Sequence, residues 1–72
     1  MTAHEAEFAA LTALTIELEM DVRTLEYLIG DVMAEDRAAR IDRIVREFPA
    51  KRDRHTDMCA VLRIAIESDV RA

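Results

Sequence analysis

The chain has 72 residues, ten Lys plus Arg against fifteen Asp plus Glu, and a formal net charge of −5. That length allows one domain, 1–72. One Gly excludes a glycine-rich phosphate loop, and one Cys excludes an intramolecular disulfide or a self-contained zinc finger. Five Thr and one Ser leave little for hairpin turns, so an all-α chain remains. At about 70–80 residues, hydrophobic gain and conformational entropy nearly cancel, so self-association is expected.

Met1-Thr2-Ala3-His4-Glu5 lacks the basic region of a signal peptide. No run of about 18 apolar residues is present, so no membrane span is expected. The lone Cys59 fits a reducing cytoplasm. Nine of the ten basic residues are Arg, an association with GC-rich bacterial or phage genomes.

Thr2-Ala3-His4-Glu5 matches a capping box and opens a helix predicted over about 3–33. Leu11, Leu14, Leu18, Leu25, Leu28 and Val32 repeat at steps of 3 and 4, with Asp21 at one step and Val22 and Ile29 widening the seam. A second stripe, Ala9, Ala13, Ile16, Met20 and Tyr27, has Arg23 at its missing step. The stripes lie on nearly opposite sides of the helix. One is expected to be covered by the rest of the chain. The other, Ala9, Ala13, Ile16, Met20, Arg23 and Tyr27, is the predicted oligomer interface. Asp21 and Arg23 either fix register within the seams or sit at an edge and reach water.

The next apolar set is Ala38, Ile41, Ile44, Val45 and Phe48. On a continued helix it would be rotated by about 140° from the first seam, so the chain must turn between Gly30 and Arg37. Ala34-Glu35-Asp36 is the preferred turn, with Asp36 as N-cap; Gly30-Asp31 is the alternative. Pro49 disfavours helix at Phe48 and lacks a donor. A second helix is therefore predicted over about 36–48 and a third over about 50–70, carrying Met58, Val61, Leu62, Ala65 and Ile66. The expected fold is an antiparallel helical hairpin with its second arm broken near Pro49. These three helices are expected to assemble as a dimeric or larger helical bundle.

Charge is sorted along the chain. Residues 1–36 hold nine acids and one base, and residues 37–72 hold nine bases and six acids. Pairing of the folded arms is the plainest explanation. Arg37, Arg40, Arg43, Arg46, Lys51, Arg52 and Arg54 fall within eighteen residues. The candidate partner or anion site is Arg40, Arg43, Arg46, Lys51, Arg52, Arg54 and His55; the competing reading is a solvated face. Lys51 and Arg52 in the first turn of a helix beginning at Pro49 would oppose its dipole and suit an anion there; a start at Asp53 or a kinked helix removes the anomaly. The acidic total and absence of Trp argue against nucleic acid, duplex DNA included. The +3 half likewise argues against DNA mimicry by the acids.

His55 and Cys59, four apart, are too few for a metal site without further ligands, and a structural role is expected. No nucleophile–base set with an oxyanion donor can be assembled, so no enzyme, cofactor or metal is expected. The functional expectation is a non-catalytic protein-interaction module, a regulator or inhibitor of bacterial or phage origin. It acts as a homo-oligomer with an unidentified protein partner. The alternative is a binder of a phosphorylated ligand, nucleotide or nucleic acid, through residues 37–55.

Overall fold

The computed structural model describes residues 3–71, with side chains described for 4–70. The capping residue Thr2 lies outside that range. Two helices form an antiparallel hairpin: α1, Ala3–Gly30, and α2, Arg37–Arg71. The hairpin is a rod of 57 × 20 × 15 Å. No strand occurs among the described residues.

The three-helix expectation is corrected: α2 runs through Pro49 without a break. Ile41, Ile44, Phe48, Lys51, His55, Met58, Leu62 and Ala65 are all wholly or partly buried, and their steps of 3 and 4 continue unchanged across Pro49. Packing along this continuous seam offsets the donor that proline lacks. Pro49 itself is exposed and off the seam.

The loop spans residues 31–36 and contains both turn positions considered above. α1 ends sooner than expected, and Val32 lies in the loop, exposed, not on the seam. Gly30 keeps a negative φ, and the Asp31 amide still donates to the Tyr27 carbonyl at 3.0 Å. The stop comes just after. Asp31 Oδ1 accepts from the Met33 amide at 3.0 Å, a local turn that competes with helix. Asp36 adopts φ 53°, a left-handed conformation that Asp tolerates better than most residues, and its carbonyl accepts from the Arg40 amide at 2.9 Å. Arg37 then folds back over the end of α1. Its Nε donates to the Leu28 carbonyl at 2.6 Å and Nη2 to the Ile29 carbonyl at 3.4 Å. Carbonyls left open by the end of α1 are thereby satisfied.

Cross-helix contacts fix the register. His4 pairs with Asp69 at the open end, Thr15 with His55, and Asp21 with Lys51. The apolar core is small: Leu14, Leu28 and Leu62 are buried, while Leu11, Leu18, Leu25, Ile41, Ile44, Phe48 and Met58 are half-buried.

Pro49→Ala tests the continuous helix. It should leave far-ultraviolet circular dichroism unchanged and raise unfolding free energy by about 1–3 kcal/mol, since interior proline costs roughly that much. A gain in helical signal would instead indicate a real break at residue 49.

Candidate functional site

A two-helix rod has two broad sides, one on each side of its seam. On the first, each flanking residue follows a seam residue: Phe8, Thr15, Val22 and Ile29 on α1, and Val45, Arg52, Cys59 and Ile66 on α2. On the second, each precedes one: Ala10, Glu17 and Thr24 on α1, and Arg40, Glu47, Arg54 and Val61 on α2. The spacing alone therefore makes one side apolar and the other charged along its middle.

The first side carries an apolar groove of about 330 Å³ between Val22 and Leu25 of α1 and Ile44, Val45, Phe48 and Pro49 of α2. A neighbouring hollow is floored by Leu18 and His55 and edged by Glu19, Arg23 and Glu26. Phe8, Val22, Ile29, Val45 and Ile66 remain exposed along this side. Sequence reading missed it because the flanks of two different helices had to be combined.

The predicted oligomer stripe lies on the outer side of α1, away from α2. Ala9, Ala13 and Arg23 are exposed, as are Ile16 (55 %), Met20 (54 %) and Tyr27 (56 %). The Tyr27 hydroxyl donates to Asp31 Oδ2 at 3.2 Å. Arg23 is exposed between Met20 and Tyr27, whereas Asp21 sits on the seam.

The predicted basic site is dispersed. Arg40, Arg43 and Lys51 come together in a groove on the second side, with Thr24, Asp21 and Glu47. Arg43 already pairs with Glu47 at 3.7 Å, Arg46 with Asp42 at 3.0 Å, and Arg52 with Asp53 at 3.5 Å. Arg54 lines a separate hollow with Glu7, Ala10, Asp57, Met58 and Val61. Lys51 and Arg52 sit inside α2, so neither lies in a helix first turn.

Lys51 is the strongest cross-helix tie. Its ammonium, 21 % exposed, lies 2.8 Å from Glu17 Oε1 and 2.9 Å from Asp21 Oδ2. The hydrogen bonds it donates to Glu17, then Asp21, hold its pKa above the ordinary 10.5, outweighing the opposing effect of burial. His55 completes the seam. The Thr15 hydroxyl donates to the Leu11 carbonyl at 2.9 Å, so its oxygen accepts from His55 Nε2 at 2.8 Å. This tautomer, assigned from the hydrogen-bond network, leaves Nδ1 toward Cys59 Sγ at 3.8 Å. Among the described residues no group of three His, Cys, Asp or Glu is placed to hold a metal ion. Among them, too, no helix is long and apolar enough to cross a membrane.

No protein family, curated protein or solved structure matches this chain.

Lys51→Met should cost about 1–2 kcal/mol, because Asp21 keeps its half-buried place without a cation. The pH sign follows from the raised pKa. The stabilisation is full at and below the unfolded value of 10.5 and is lost as pH climbs through the higher folded value. Chemical denaturation on either side of pH 10.5 should show a fall in the parent that Lys51→Met lacks.

Proposed function

We infer that this chain is a non-catalytic protein-interaction module, a small regulator or inhibitor that works by presenting apolar helix surface to another polypeptide. The observation that supports this reading is the imbalance between surface and core. Among the described residues three leucines are buried, whereas thirteen large apolar side chains are exposed, including Phe8, Ile16, Met20 and Tyr27. Surfaces of this kind mark interaction sites in small proteins. Action as a homo-oligomer in the bacterial cytoplasm belongs to the same reading, supported by the small core and the exposed, unpaired Cys59 thiol.

Binding of a phosphorylated ligand draws support from one feature, the meeting of Arg40, Arg43 and Lys51 in a single groove. Asp21 and Glu47 share that groove, and Lys51 already holds two carboxylates. Those acids oppose an incoming phosphate, so the apolar reading has the better support.

Salt and substitution separate the two. Polypeptides retained from the native cell by the immobilised chain should withstand added salt, whereas phosphate contacts weaken steeply with it. Changing Arg40, Arg43 and Arg46 together to Gln should leave retention intact and shift stability by less than about 0.5 kcal/mol per site. A chain that stays monomeric and retains no polypeptide overturns the module. Salt-sensitive retention lost with the three arginines transfers the function to the basic groove.

A further inference from the structure

We propose that the first broad side of the hairpin is the surface on which a second copy of this chain packs. In this pairing α1 lies against the partner's α2 and both loops sit at the same end. The proposal rests on the module reading and names its face, its occupant and its orientation.

The choice of face comes from width and polarity. The outer stripe of α1 is one helix wide and is interrupted by Arg23. The first side spans both helices, with Thr15 and Arg52 as its polar members. Phe8, Val22, Ile29, Val45 and Ile66 stand exposed along it from the open end to the loop, above a floor that includes Leu25 and Phe48. Across the seam, Glu17, Arg40, Glu47 and Arg54 make the opposite side a solvated surface.

Area sets how much surface an occupant must cover. A compact monomer of 8.2 kDa has an accessible surface of roughly 4,500 Å² by the usual size scaling. This chain exposes 5685 Å². The excess, on the order of 1,000 Å², matches the ~800 Å² that each partner contributes to a standard stable interface. A symmetric pair of copies removes it from both chains at once, as the commonest closed assembly does.

Charge fixes the orientation. On this side α1 presents Glu19 and Glu26 with Arg23, while α2 presents Arg52, its Arg40, Arg43 and Arg54 lying on the other side. With the two-fold axis parallel to the rod, each α1 faces the partner's α2 and opposite signs meet. With the axis across the rod, α1 faces α1, and Glu19, Arg23 and Glu26 face a copy of themselves, two acids to one base on each chain. The first arrangement is favoured, and it places the two loops side by side.

Sedimentation equilibrium and spin-label distances test this together. The parent should sediment at twice the 8.2 kDa chain mass. Val22→Asp with Val45→Asp should weaken self-association by roughly 100-fold or more, as for central interface positions. Ile16→Asp with Met20→Asp should leave it unchanged. For orientation, Met33, 87 % exposed in the loop, is changed to Cys and labelled in a Cys59→Ser background. Labels about two helix diameters apart, roughly 20–25 Å, are expected. A separation near the 57 Å rod length overturns the same-end pairing. Association lost through Ile16 and Met20 but not through Val22 and Val45 overturns the face. A monomeric parent overturns the second copy: the module survives if a different polypeptide is retained and fails if none is.

Discussion

Two helices laid side by side bury only the strip along which they touch. Each helix offers that strip one narrow stripe, and everything beyond its flanks faces water. The consequence here is a rod in which, among the described residues, Leu14, Leu28 and Leu62 alone are buried. A core this thin leaves register weakly determined by apolar contact, because one leucine level resembles the next. Directional contacts supply the missing specificity. Arg37 ties the loop end through two α1 carbonyls, Lys51 the middle through two carboxylates, and His4 with Asp69 the open end. Sliding α2 by one turn would break these together.

The first seam was legible because Leu11, Leu14, Leu18, Leu25 and Leu28 are chemically alike and evenly spaced. The second arm was harder to read for two physical reasons. Pro49 is a strong local breaker, and local rules weigh the residue without knowing which side of the helix it occupies. The steps that carry the seam past it are Lys51 and His55, polar residues that a search for apolar periodicity passes over. Once their partners Glu17, Asp21 and Thr15 are seen, they belong to the seam as fully as a leucine. The loop was bracketed from sequence, since it spans both positions considered. Its details depend on Asp31 and Arg37 contacts that no spacing rule contains.

Density of charge along the sequence proved a poor guide to density on the surface. Seven cations within eighteen residues occupy about five helical turns: Arg40, Arg43 and Lys51 share one groove, Arg54 lines another hollow, and Arg46 and Arg52 point elsewhere. Several meet a carboxylate on the same helix, and Lys51 meets two across the seam. The outer stripe of α1 shows the converse. It was legible because it lies within one helix. The broad apolar side was not, because half of it comes from α1 and half from α2, and neither half is a conspicuous stripe alone.

The two sides of the rod divide the work of folding between them. Lys51 and its carboxylates settle how the arms pair, at modest net gain, since half-exposed Glu17 keeps much of its hydration in either state. The apolar first side contributes little while it faces water and a great deal once covered. Binding to the folded state alone adds a stabilisation that grows with the logarithm of partner concentration. In a hairpin with so small a core, that increment is a large share of the whole stability. A partner bound to the first side would therefore link its own binding equilibrium to folding. The abundance of such a partner would then help set how much folded hairpin exists.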